Sequence, residues 1–196
     1  MAWIFAGLGN PGEEYTGSRH NIGRDIVRAL AKKEKLLFKA DKKLRAEVAK
    51  GELFGGKAML VLPDSYMNNS GASLKSLVDT KKKAEQLVVI HDDLDIPLGK
   101  IKMSFGSGAG GHRGVESVQK ALKTRDFVRI RVGVCPTTPS GKMRKPDREA
   151  IVDFVLGTFR TSEEETLKKI RKAVFEALER CIEGDYASAM NVVNSR

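Results

Sequence analysis

Gly7-Leu-Gly-Asn-Pro-Gly-Glu-Glu-Tyr-Thr-Gly-Ser-Arg-His-Asn21 follows without a break on the apolar run Trp3 to Ala6. Such a junction reads as a buried strand handing the chain to a loop, and in α/β proteins ligands bind beyond the carboxyl ends of strands. Asn10 opens this loop and His20 closes it. Histidine is the side chain whose ordinary pKa suits it to take and return a proton near neutrality. Gly7, Gly9 and Gly12 also match the G-x-G-x-x-G spacing of dinucleotide-binding turns. Such a turn should open a helix at once, whereas Pro11, Glu13, Glu14 and Gly17 delay the helix. The two glutamates would also repel a pyrophosphate, so the loop is read as a ligand site and no cofactor is assigned to it.

Working outward, Ile22, Ile26, Val27 and Leu30 recur at helical spacing and predict a helix from 21 to about 34. Asn21 is its expected cap, and Lys32 and Lys33 suit its negative C-terminal end. Residues 46–50 and 57–62 read as a hairpin about Gly55-Gly56. A polar loop with Tyr66, Met67 and Asn68 precedes a helix expected from Gly71 to Asp79. Leu87 to Ile90 is apolar on both faces, as in a buried parallel strand, and delivers His91-Asp92-Asp93-Leu94-Asp95 to its carboxyl end. A strand over 99–105 leads to five glycines between Gly106 and Gly114, with His112 and Arg113 among them.

Val115, Val118 and Leu122 predict a helix after these glycines, and Phe127 to Val134 a strand with Arg129 and Arg131 on one side. Residues 135–148 hold three prolines with Lys142, Arg144, Lys145 and Arg148, a mobile basic loop. A short helix follows at 151–156, then one to about Glu183 that opens on a Ser162–Glu165 capping box, then a last one from Tyr186 to Val193. Strands alternating with helices predict a single-domain three-layer α/β/α sandwich around a twisted mixed β-sheet.

Hydrophobic residues make up 41% of the 196, enough for one good core. Lys and Arg total 35 against 25 acids, for a net charge of +10 and a pI near 9.6. An excess of this size is the footprint of a nucleic-acid partner, with a basic surface kept for solubility as the alternative. No apolar stretch approaches a membrane span, and no charged leader precedes the first apolar run, so neither a membrane anchor nor a signal peptide is expected. Cys135 and Cys181 lack metal or disulfide spacing and suit a reducing cytoplasm.

Asn10, Asn68 and Asp92 fall just past expected strand ends, where His20 and the glycine loop with His112 can join them. A histidine with a carboxylate and several amides is what general-base hydrolysis needs. The histidine deprotonates water, the carboxylate fixes its tautomer, and carboxamides bond substrate groups or a developing oxyanion. Each part has a plainer reading: His20 as a helix-start histidine, Asn10 and Asn68 as turn residues. Asp92, Asp93 and Asp95 could alternatively hold Mg²⁺. With three histidines and no H-x-x-x-H pair, no zinc site is expected, and no G-x-S-x-G elbow offers a serine nucleophile. The glycine loop either presents N–H groups to a phosphate or is a crossover packed close to the sheet.

Taken together, Gly7-Leu-Gly-Asn-Pro-Gly12, Tyr15, Arg19-His20-Asn21, Tyr66 to Gly71, His91-Asp-Asp-Leu-Asp95, Gly110-Gly-His112 and Arg129-Ile-Arg-Val-Gly133 resemble the bacterial peptidyl-tRNA hydrolase family over nearly the whole chain. The resemblance implies a monomeric cytoplasmic esterase that cleaves peptide from tRNA without a cofactor. It implies His20 as general base and Asp92 as its orienting carboxylate. Asn10 and Asn68 would hold the peptide and the attacking water, Tyr15 and Met67 line the cleft, and His112 and Arg113 stand beside the substrate. Arg131 would clamp a tRNA phosphate, and a basic lid would span about 135–150. Two positions depart from the pattern. Gly111-His112-Arg113-Gly114 replaces the usual Gly-His-Asn-Gly, and Ser104 stands where a basic partner of the clamp is usual, with Lys100 or Lys102 as possible substitutes. An RNA-binding relative of the splicing-factor kind, with little or no hydrolysis, is the alternative.

Overall fold

Every residue of β1 (Trp3–Gly7) is buried, and its side chains alternate between two cores. Trp3 and Phe5 join one cluster, while Ile4 and Ala6 join the other. A strand with period-two side chains can fill two cores only at the centre of a sheet covered on both faces. The computed structural model describes residues 2–184 and 186–195. Its remaining strands are β2 (Lys39–Asp41), β3 (Ala46–Leu53), β4 (Gly56–Pro63), β5 (Leu87–Pro97), β6 (Ile101–Phe105) and β7 (Val128–Cys135). They lie in the order β2-β3-β4-β1-β5-β7-β6. The β4-β1-β5-β7 centre is parallel, and the margins at β2-β3-β4 and β7-β6 are antiparallel.

The helices are α1 (Ile22–Lys33), α2 (Gly71–Lys75), α3 (Lys81–Ala84), α4 (Arg113–Leu122), α5 (Ile151–Leu156), α6 (Glu164–Ile182) and α7 (Tyr186–Asn194). α1, α6 and α7 pack on the face of Trp3 and Phe5, α2 and α4 on the opposite face. This is the expected three-layer sandwich around a mixed sheet. The chain leaves β1 towards β4 on one side and returns at β5 on the other, so β1 is the switch point of the sheet, and ligands of such sheets bind at its carboxyl end. No helix among the described residues is long and apolar enough to cross a membrane.

Several local expectations change. The hairpin turns on Phe54-Gly55, both at positive φ, which matches the strand twist better than a turn one residue later. The helix from Gly71 stops at Lys75, because the N–H groups of Leu77 and Val78 both turn back on the Leu74 carbonyl. β5 does not end at Ile90: pairing with β7 carries it through Asp92 opposite Val132, with a bulge between Asp93 and Pro97. Asn21 makes no side-chain cap on α1. Before α6, the Glu163 carboxylate accepts from the Arg160 N–H at 2.6 Å, whereas Glu165 pairs with Lys168 on the surface.

The glycines of the opening loop serve close packing. A Cβ on Gly7 would stand 2.4 Å from the Gly23 carbonyl oxygen, and one on Gly23 would stand 2.1 Å from that of Ile90. Backbone therefore rests on backbone where α1 crosses β1 and β5, which brings the turn before α1 onto the strand ends.

Candidate active site

A short 3-10 turn at Arg19–Asn21 carries His20 to the edge of β5, where Asp92 points out of the strand. His20 Nδ1 lies 2.8 and 3.0 Å from the two Asp92 carboxylate oxygens. A carboxylate can only accept, so Nδ1 carries the proton and the Nε2 lone pair is left open. His112 Nε2 donates to Asp92 Oδ1 at 2.9 Å, while its Nδ1 accepts from the Val115 N–H at 3.2 Å and so caps α4. One carboxylate thus sets two imidazoles in opposite tautomers: His20 has a free nitrogen, and His112 has none.

Asp92 is 3% exposed. Burial pushes its carboxyl up, but the charges and hydrogen bonds of His20 and His112 outweigh burial and hold it well below the usual carboxylate range. His91, the residue before it, is fully inside the sheet and donates from Nδ1 to the Asp92 carbonyl at 2.7 Å. Burial, with His112 beside it, pushes the His91 imidazole well below its ordinary range. Its ring packs 4.6 Å from that of His112, which stands 5.0 Å from that of His20. Sequence reasoning had no signal for His91, since an inward strand histidine beside a polar run looks like part of that run.

Asn10 is buried, and its Oδ1 accepts from the Met67 N–H at 2.8 Å. Its backbone is clasped by the Asn21 side chain, which accepts from Asn10 N at 2.8 Å and donates to Asn10 O at 2.9 Å. Asn21 is therefore a strut between the loop's two ends, and Gly9 has no Cβ because one would stand 2.9 Å from Asn21 Oδ1. With Oδ1 engaged, Asn10 has its amide donor left for a ligand. Met67 is buried against Gly114, where a Cβ would stand 2.4 Å from its sulfur. Asn68 follows in the 3-10 turn Met67–Asn69 with its side chain exposed, and Tyr15 is half-buried in the turn Glu13–Tyr15.

The basic residues divide. Arg131 donates from Nε to Asp93 at 2.7 Å and faces Lys102 across β6 and β7. Ser104 faces Arg129, and its hydroxyl is buried without a hydrogen-bond partner among the described residues. Arg129 donates to the Gly108 carbonyl at 2.8 Å, which ties the glycine loop to the sheet. Arg113 is exposed at the first position of α4. In the 136–148 loop, Thr137 bridges Met143 and Lys145 pairs with Asp95.

His20, Asp92 and His112 offer ligand atoms all within 4.8 Å of one another, a group that could hold a cation. The Val115 N–H argues for a hydrogen-bonded hub, because it obliges His112 to keep its proton on the nitrogen that faces Asp92. The Mg²⁺ alternative fares no better: Asp92, Asp93 and Asp95 turn to different partners, the two imidazoles, Arg131 and Lys145. Both cysteines are free and buried, and burial pushes their thiols up, Cys181 to about 12.

The sequence pattern of the peptidyl-tRNA hydrolase family matches residues 4–196. The peptidyl-tRNA hydrolase of Herpetosiphon aurantiacus is 38% identical over 194 residues, spanning 98% of this chain and 90% of that protein. That of Methylacidiphilum infernorum is 40% identical over 181 residues, spanning 90% of this chain and 91% of its own. The crystal structure of peptidyl-tRNA hydrolase from Acinetobacter baumannii superposes with a TM-score of 0.86 at 30% identity, covering 98% of this chain and 94% of that one. A likeness in sequence and backbone that runs from β1 through the Asp92 hub to the last helix leaves one placement: the chain belongs to the peptidyl-tRNA hydrolase family.

Proposed function

We propose that this hydrolase cleaves the ester bond between peptide and tRNA, with His20 as general base and Asp92 as the carboxylate that orients it. The observation that carries the mechanism is the His20–Asp92 contact, which leaves Nε2 unprotonated at the open side of the pair. His20 Nε2 takes a proton from water as the water oxygen attacks the ester carbonyl. The tetrahedral oxyanion then collapses, the ribose oxygen of the tRNA leaves, and His20 returns the proton to it. Asp92 stabilises the imidazolium in between without itself becoming protonated.

The Asn10 and Asn68 carboxamides are suited to hold the peptide and the attacking water, and Met67 and Tyr15 to line the cleft. Arg131 with Lys102, and Arg113, are suited to the tRNA phosphates, for which the net charge of +10 supplies a general attraction. A basic lid over about 135–150 belongs to the same reading, and Lys145 of that loop pairs with Asp95 near the end of β5. The reading carries with it a cytoplasmic monomer that works without cofactor or metal.

Single-turnover hydrolysis of an N-blocked aminoacyl-tRNA tests it. His20→Ala should lose about 10²–10⁴ in rate while still binding uncharged tRNA. Asp92→Asn should lose a comparable factor by presenting the wrong tautomer, and wild-type turnover should persist in excess chelator. Near-normal rates in both variants would overturn the assignment. Absence of turnover in the wild type would favour the RNA-binding alternative.

A further inference from the structure

We propose that Arg19 is a positioning residue for the hydrolysis, acting through His20 by fastening the turn that carries it to residues 154–163. The inference rests on the reading of His20 as the base. Arg19 is 7% exposed and follows Ser18, which is 1% exposed. Its Nη1 donates to the carbonyls of Thr158 at 2.5 Å and Gly157 at 3.3 Å, and its Nη2 to the Glu163 carboxylate at 3.1 Å. The guanidinium carbon lies 4.7 Å from the centre of the Phe154 ring and 5.0 Å from that of Phe159. Backbone bonds repeat the attachment: Arg19 N donates to the Gly157 carbonyl at 3.0 Å, Phe159 N to the Gly17 carbonyl at 3.3 Å, and Ser18 bridges Thr158. Glu163 is itself held, since it also accepts the Arg160 N–H.

His20 is thus gripped through both chain neighbours. Arg19 ties it to the segment around α5, and Asn21 ties it to Asn10 at the end of β1. Between these anchors its imidazole meets a carboxylate on β5. The position of Nδ1 before Asp92 is therefore held by two attachments, one within the opening loop and one to a segment 138 or more positions away. A buried ion pair is a poor source of stability, because apolar residues of the same volume serve as well or better. What the planar fork and its two flanking rings supply is direction. A misplacement of an ångström at a reacting group can cost about 10²-fold in rate.

The full-length chain tests the proposal through Arg19→Lys, which keeps the charge but loses the fork, and Glu163→Gln, which loosens it. Single-turnover hydrolysis of an N-blocked aminoacyl-tRNA is followed at saturating and limiting enzyme, beside binding of uncharged tRNA and thermal unfolding. Arg19→Lys should lower the saturating rate about 10–100-fold, with half-saturation and tRNA binding within about twofold of wild type. Glu163→Gln should lower the saturating rate by less. A folded Arg19→Lys with the wild-type saturating rate, or with its loss carried by half-saturation, overturns the proposal, whatever its melting temperature. So does a wild-type rate in Glu163→Gln should Arg19→Lys not fold. His20→Ala, assayed alongside, separates the two readings. Retained activity there overturns His20 as base, whereas its loss beside a wild-type Arg19→Lys overturns only the positioning role.

Discussion

Two dipeptides meet at Asp92, Arg19-His20 from one side and His112-Arg113 from the other, and in each an arginine adjoins an imidazole bonded to the carboxylate. Their environments are opposite. Arg19 is buried, with its fork on two carbonyls and a carboxylate and its faces against two rings. Arg113 is exposed at the start of α4, with no hydrogen bond or ion pair among the described residues. A helix N-terminus mildly disfavours a cation, so nothing in the fold asks for a charge there. The histidines are opposed as well. His20 keeps a free nitrogen, whereas both nitrogens of His112 are engaged. Identity of residue type therefore says little here, and the number of partners already taken says what remains for a ligand.

The largest effect expected from this contrast separates the histidines. His112→Ala removes one partner of Asp92 and the cap of α4 but leaves the His20 lone pair. Its rate should fall by at least tenfold less than the 10²–10⁴ expected of His20→Ala, with roughly 1 kcal/mol of stability lost at the helix start. Equal single-turnover losses would break the distinction between base and support.

A smaller effect separates the arginines. If Arg113 meets one tRNA phosphate, Arg113→Ala should weaken tRNA binding and reduce the slope of log affinity against log salt by about 0.7–0.9, with an unchanged melting temperature. Arg113→Asn, the family's usual residue, should show the same shallower slope. A wild-type slope in both would make Arg113 a surface substitution.

The smallest effect concerns Asp25, in the first turn of α1, where burial pushes its carboxyl up to about 6 against Arg28, Arg24 and Arg171, which pull it down. A raised carboxyl binds its proton more tightly in the folded state, so wild-type stability should rise as pH falls from about 6 towards the ordinary value near 4. Asp25→Asn should stabilise the fold at pH 8 by about 1 kcal/mol after allowance for solvent screening, and by nothing measurable below pH 4. Denaturation at the two pH values checks it. A loss of stability at pH 8 would show that its arginine partners outweigh its burial.

Much of the architecture was legible because it is written in short range. Ile22, Ile26, Val27 and Leu30 mark α1 by their spacing, and Leu87 to Ile90 mark a strand covered on both sides. Asn10, Asn68 and Asp92 could be named as candidates because polar residues directly after apolar runs mark expected strand ends, and His20 because it closes the loop that Asn10 opens. β2 escaped notice because its Lys39, Ala40 and Asp41 lie on an open edge, where no alternation is imposed. The true extent of β5 was hidden for a related reason: its polar end is held in strand form by β7, not by its own residues.

What the tertiary structure alone decided is which of several possible partners each polar group takes. Asn21 has the chemistry of a cap and became a strut, because Asn10 lies within its reach once Gly7 and Gly23 let backbone meet backbone. Arg19 found Glu163 across 144 positions, and His20 found Asp92 across 72. Periodicity and turn chemistry depend on a few neighbouring residues and survive in the sequence as pattern. The tautomer of an imidazole and the burial of a guanidinium depend on contacts that close long loops, and these exist only when the whole sheet and both its layers are in place.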